Sequence, residues 1–174
     1  GISGTAGLAG AALGARGAVP ATGQPAPPAV KPKRLSPGDT IALVSPSGAT
    51  ATRNDAAIVK ENMEALGFKV KPGAHLLDRY GYLGGRDGDR AADLMAAFAD
   101  PEVDGIVAMK GGWGCARILP LLDYDVIRRN PKVLLGYSDI TALLLGIHAR
   151  TGLVTYHGPI GLDPWNGFTV GFFR

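Results

Sequence analysis

One cysteine, Cys115, and three histidines are all that these 174 residues offer to thiol and imidazole chemistry. A lone thiol excludes an internal disulfide framework and a multi-cysteine metal site. His75, His148 and His157 have no carboxylate neighbours at ligand spacing, so no metal centre is expected. The net charge of +3 is scattered, with no basic stripe interleaved with aromatics, which excludes a nucleic-acid surface. Beyond the first segment no unbroken apolar run is long enough to cross a bilayer. No internal repeat is present.

Small residues are abundant instead. Gly1 to about Pro28 is Ala, Gly and Pro with almost no charge. Residues 1–23 read as the remnant of an export signal, with Ala15-Arg16-Gly17-Ala18 as a candidate cleavage site. Their mild hydrophobicity suits a twin-arginine signal, although the arginine pair is absent. The alternative is a disordered low-complexity leader on a cytoplasmic protein. Residues 24–33 are Pro-rich and are expected to form an extended linker without packed structure. Residues 34–161 make one domain. Residues 162–174, ending in Gly171-Phe172-Phe173-Arg174, read as the start of a truncated inter-domain segment. Hydrophobic residues make up 46%, enough for a substantial core.

Within that domain short apolar runs alternate with helical patterns. Expected strands are Thr40–Val44, Phe68–Val70, Gly105–Met109, Val133–Leu135 and Leu153–Thr155. Between them, Asn54–Leu66 carries Ile58, Val59, Met63 and Leu66 on one helical face. Asp87 is expected to cap a helix that ends at Asp100-Pro101, and another helix runs from Asp139 to Ala149. This alternation predicts an α/β fold: a doubly wound, mostly parallel sheet with helices on both faces. Such sheets place their sites at the carboxyl ends of the strands. Four suspicious loops fall there: Ser45–Gly48, Lys110–Cys115, Gly136–Asp139 and Tyr156–Pro159.

Val133-Leu134-Leu135-Gly136-Tyr137-Ser138-Asp139 is the most informative of these. A buried run, a glycine, a serine and an immediate helical pattern are the grammar of a nucleophile elbow. Gly136 would permit the tight turn and expose the Ser138 hydroxyl at its tip. The Asp139 N–H, at a helix start, could donate to a developing oxyanion. The G-x-S-x-G pattern is incomplete, because Thr141 stands where the last glycine belongs. A bland alternative is that Ser138 or Asp139 merely caps the helix.

The stretch from Lys110 to Arg117 holds three glycines after a strand. It matches neither a Walker loop nor G-x-G-x-x-G, so an amide donor for the same oxyanion is the better functional reading, against an ordinary tight turn. Cys115 could itself be a nucleophile, or a small residue packed at a helix start. His157 could serve as the base of Ser138 or simply line the cleft. The loop from Arg79 to Asp87, rich in Gly and Tyr, reads as a substrate-facing lid or as ordinary surface.

Five motifs in order carry a resemblance. They are Gly38-Asp39-Thr40-Ile41 with Ser45-Pro46-Ser47-Gly48, Gly81-Tyr82-Leu83-Gly84-Gly85, Gly111-Gly112-Trp113-Gly114, Gly136-Tyr137-Ser138-Asp139 and Thr155-Tyr156-His157-Gly158-Pro159. Together they resemble the LD-carboxypeptidases, the muramoyl-tetrapeptide carboxypeptidases of peptidoglycan turnover, related to the microcin C self-immunity proteins. The resemblance covers about residues 34–161. It implies a serine peptidase with a Ser-Glu-His triad, in which Ser138 is the nucleophile. The Asp139 and Gly112 amides would form the oxyanion hole, and the Glu and His would lie in a C-terminal β-rich domain outside this chain. It argues against Cys115 and His157 as catalysts. Ser45, Tyr82, Trp113, Tyr137 and His157 become candidates for lining the substrate cleft. Trp113 stands where Tyr is usual, and the leader suggests a periplasmic or cell-envelope form. The implied partner is a muropeptide substrate, with no cofactor and no nucleic acid; a homodimer stays open. Two alternatives remain: a serine amide hydrolase acting on peptidyl-adenylates such as microcin C, and a doubly wound binding domain without chemistry.

Overall fold

A computed structural model describes residues 27–173. The expected signal over 1–23 lies outside the described residues. Five strands, β1 (Thr40–Val44), β2 (Lys69–Pro72), β3 (Gly105–Ala108), β4 (Val133–Gly136) and β5 (Tyr156–His157), form one sheet in the order β2-β1-β3-β4-β5. Every pairing is parallel, for example Ile41 with Gly105 and Val107 with Leu135. The order reverses between β1 and β3, so the loops leaving those two strands diverge and open a crevice at their carboxyl ends.

The helices are α1 (Arg53–Ala65), α2 (Asp87–Ala99), α3 (Cys115–Ile118), α4 (Tyr124–Arg129), α5 (Thr141–Thr151) and α6 (Gly167–Phe173). Alternation along the strands decides which face each packs on. Ile41 and Leu43 of β1 and Val107 of β3 meet Val59 and Met63 of α1. Their neighbours Ala42, Val44, Ile106 and Ala108 point the other way, to Leu94 and Phe98 of α2, Ile127 of α4 and Leu143 and Ile147 of α5. β1, β3 and β4 have almost no exposed residues, as a strand covered on both faces requires.

Helix ends are satisfied locally. Thr52 and Asp55 make a reciprocal capping box on α1, with bonds of 3.1 and 2.9 Å. Asp123 caps α4 by accepting from the amides of Asp125 and Val126. Lys132, buried at the mouth of β4, donates its ammonium to the carbonyls of Ala97 and Asp100 at the end of α2. A cation suits that helix terminus, while burial pushes its pKa down.

Three expectations are corrected. Asp87 does not cap α2: Arg86 is the flanking residue and makes no side-chain cap, while Asp87 is the first helical residue and pairs with arginines. The fifth strand is not Leu153–Thr155 but Tyr156–His157, because the pairing with Leu135 and Gly136 falls there. The Pro-rich segment is not free of packing. Val30 bridges Leu153, its N–H donates to the Gly152 carbonyl at 2.8 Å, and its own carbonyl accepts from Val154 at 2.8 Å. The apolar Leu153 run thus finds its partner in the linker rather than in the sheet.

Gly152 closes α5 at φ 76°, and a Cβ there would run into the Pro28 carbonyl. Gly152→Ala is therefore expected to cost about 1–3 kcal/mol, from the left-handed backbone and the displaced linker together. Urea denaturation of the two proteins measures it; an unchanged midpoint would show that the linker contact adds nothing.

Candidate active site

The carboxyl ends of β1, β3 and β4 bring their loops within bonding distance. Ser138 stands at the end of β4, exposed, with φ 61°. It is the only non-glycine residue with positive φ among the described residues. The strand-turn-helix grammar predicted from the sequence is present, with one difference. The left-handed residue is the serine itself, and Gly136 is needed for space: a Cβ there would lie 2.8 Å from Cγ2 of Ile140. A short 3-10 turn over Ser138–Ile140 leads into α5.

The Gly-rich turn after β3 lies directly against this elbow. A Cβ on Gly111 would lie 2.9 Å from both Cβ and Oγ of Ser138, so only glycine fits. The Gly111 carbonyl accepts from the Gly48 N–H at 3.3 Å. Since carbonyl and amide point oppositely across a trans peptide, the Gly112 N–H is turned away from Gly48. Among the described residues neither the Gly112 nor the Asp139 amide donates to a partner.

Asp139 turns its carboxylate inward. Oδ2 accepts from Ser47 Oγ at 2.6 Å and from the Cys115 N–H at 2.9 Å. Arg90, on α2, is the second tie. Its side chain is fully buried and donates to the carbonyls of Pro46 and Gly114 and, at 2.5 Å, to Asp87. Asp87 also accepts from the exposed Arg117 at 2.9 Å. The hydrogen bond from Arg117, reinforced by Arg90, holds the Asp87 carboxyl below its ordinary pKa.

The expected site residues divide. Ser138, Asp139 and Gly112 come together. Tyr82 and Trp113 are exposed near the crevice, Trp113 immediately after Gly112. Tyr137 is half-buried and donates its hydroxyl to Asp163 at 3.1 Å. His157 is exposed at the end of β5, its ring edge-on to Tyr137 at 6.1 Å, with no carboxylate partner among the described residues. Both line a large groove with Leu66, Phe68 and Phe168. Ser45 is a correction: it is buried, donating to the Leu76 carbonyl at 2.8 Å and paired with Thr50, so it is part of the scaffold and cannot line a cleft. Cys115 is buried with its thiol on the Pro46 carbonyl, and burial pushes its pKa up, away from thiolate chemistry.

Ser47 and Arg90 were not apparent from the sequence as site residues. Arg90 had a faint signal in its i,i+3 spacing from Asp87; Ser47 had only its place in the Ser45–Gly48 turn at the end of β1. His75, Asp78 and Asp89 also offer atoms within 4.8 Å of one another, contrary to the expectation of isolated histidines. His75 is engaged by Asp78 at 2.8 Å, and that bond raises its pKa.

A doubly wound parallel sheet with a left-handed serine at a strand end, facing a glycine turn, defines an α/β domain with a strand-turn-helix elbow at its carboxyl edge. Residues 41–158 match the model of the LD-carboxypeptidase N-terminal domain, and the chain belongs to that family. It is 41% identical over 150 residues to the "Probable murein peptide carboxypeptidase" of Bacillus subtilis, covering 83% of this chain and 46% of that protein. It is 37% identical to the "Murein tetrapeptide carboxypeptidase" of Pseudomonas aeruginosa, covering 71% and 41%. The crystal structure of an MccF-like protein from Bacillus anthracis superposes with a TM-score of 0.78 at 36% identity, over 83% of this chain and 46% of that one. The chain thus spans less than half the length of these relatives.

The Asp87 pairing has a defined pH signature. Its folded pKa lies below the ordinary 3.8, so its stabilisation is complete above that value and is lost as pH falls through the folded pKa. Asp87→Asn should therefore show a shallower loss of stability below about pH 4 than the wild type. Denaturant midpoints measured across the acid range test this, and parallel curves would mean that the arginines contribute no differential stabilisation.

Proposed function

We propose that the protein is a serine-type LD-carboxypeptidase that removes the terminal D-amino acid from muropeptide tetrapeptides. The observation that carries this reading is the exposed Ser138, held at φ 61° against Gly111, beside two amides that donate to no partner among the described residues. Ser138 Oγ attacks the carbonyl of the scissile L,D-amide. A histidine oriented by a glutamate, both supplied from outside this chain, takes the proton and returns it to the leaving amine. The Asp139 and Gly112 N–H groups hold the tetrahedral oxyanion, where one donor is worth about 10²–10³ in rate. Water then hydrolyses the acyl-enzyme. These steps use no metal or organic cofactor. The small-residue leader supports an exported, cell-envelope setting.

Tyr82 and Trp113, exposed near the crevice, would meet the substrate. Among the described residues His157 is a poor base, since no carboxylate there orients it.

The test uses the full-length protein on an L,D-tetrapeptide, with a peptidyl-adenylate as comparison. Release of a D-amino acid is expected, and Ser138→Ala should lower kcat by about 10⁴-fold or more, while Cys115→Ala keeps most activity. A fluorophosphonate should label the wild type and fail on Ser138→Ala. Cleavage of the peptidyl-adenylate alone would assign the other amide substrate. Absence of labelling and of turnover on both substrates would favour a binding domain.

A further inference from the structure

Three loops from three strands must hold still for two amides to converge on one oxygen, and the Gly111–Gly114 turn is poorly suited to holding itself. Gly112 and Gly114 sit at φ 142° and 114°, and glycine in such conformations has more freedom to lose than any other residue. The turn must be anchored from outside. Its two ends are anchored through one atom.

The geometry points to the Asp139 carboxylate as a positioning residue for the oxyanion hole, tying the Gly111–Gly112 turn to the Ser138 turn through Ser47 and the Cys115 amide. Asp139 Oδ2 holds the far end of the turn directly, by the Cys115 N–H at 2.9 Å. It holds the near end through Ser47, whose hydroxyl it accepts at 2.6 Å. Ser47 is fully buried and is followed by Gly48, whose N–H fixes the Gly111 carbonyl. That bond sets the peptide plane carrying the Gly112 N–H. Ser47 is secured in turn, its carbonyl accepting from Gly84 at 2.9 Å. One residue therefore presents its own backbone N–H as one donor and orients the other donor with its side chain.

The charge itself is not the useful property. A carboxylate near a developing oxyanion disfavours it, so any benefit comes from geometry. Because a single oxygen accepts both bonds, an asparagine can place its carbonyl oxygen in the same position and keep both, while alanine keeps neither. The two substitutions thus separate positioning from charge.

This inference rests on the serine-peptidase reading, and the experiment keeps their failures apart. In the full-length protein, D-amino acid release from the L,D-tetrapeptide and the rate of fluorophosphonate labelling are measured for Ser138→Ala, Asp139→Ala, Asp139→Asn and Ser47→Ala. Asp139→Ala should lower kcat by about 10²-fold with KM changed less than about threefold, and slow labelling in parallel. Asp139→Asn should recover at least about tenfold of that loss, and Ser47→Ala should lose about tenfold. Should Asp139→Ala fail to fold, Ser47→Ala and Asp139→Asn decide: a fall in kcat at constant KM for Ser47→Ala, with Asp139→Asn still active, supports the assignment. Wild-type kcat in Asp139→Ala, or in Ser47→Ala, overturns it, as does a loss confined to KM. An Asp139→Asn variant as impaired as Asp139→Ala overturns it too, since charge and not geometry would then be at work. An active Ser138→Ala instead removes the underlying serine mechanism, and the inference with it.

Discussion

A serine held at positive φ is the constraint on which this end of the sheet depends. For a residue with a Cβ that conformation costs about 1–2 kcal/mol, and it persists only where the surroundings determine it more than once. Here they do. The incoming backbone belongs to β4, paired on one side with β3 and on the other with β5, and buried throughout. The outgoing backbone enters α5, whose Leu143 and Ile147 are fully buried in the core. Between them Ile140 packs over Gly136, at a distance that no side chain at that position would permit. Ser138 is exposed, while the backbone on either side of it is fixed.

The same principle organises the neighbouring loops, by different means. The β3 turn contains glycines because its neighbours come too close for anything larger: Ser138 at Gly111, Gly48 at Gly112 and Leu83 at Gly114. That choice removes the turn's own preference for one conformation. The compensation is polar: a buried arginine on α2 reaches the carbonyls of Pro46 and Gly114, and Asp139 reaches Ser47 and the Cys115 amide. Both ties cross between loops of β1 and β3, the strands between which the sheet order reverses. The crevice that the topology opens is therefore bridged beneath its floor by charged side chains, each accepting or donating several bonds. A buried charge is stable only under that condition.

The centre of the sheet was legible in the sequence because β1, β3 and β4 are covered on both faces and read as continuous apolar runs. The elbow was legible because a glycine, a serine and a helix start are local signals. Less visible were features set by distant partners. Leu153–Thr155 is apolar enough for a strand, yet Leu153 pairs with Val30, across 123 residues of chain; no local pattern distinguishes that from sheet pairing. Ser45 and Ser47 occupy the same short turn and look alike, but Ser45 faces Leu76 and Ser47 faces Asp139. Only the fold decides which of two turn serines belongs to the site. Asp87 has the composition of a cap, but it is the first helical residue, after Arg86, and its oxygens go to two arginines.

In the proposed mechanism this arrangement divides the chemistry in a physically reasonable way. Stabilising an oxyanion demands dipoles that are already aimed before charge develops, because reorienting them during the reaction would return much of the benefit. Backbone amides on loops tied to a buried parallel sheet meet that demand better than side chains on a mobile surface. A general base has a looser requirement: it must reach the hydroxyl proton, and small adjustments on substrate binding can complete that contact. The doubly wound domain accordingly holds what must be rigid, the strained nucleophile and its amides. The exposed Ser138 hydroxyl leaves the proton-accepting side accessible to a base contributed from outside this chain.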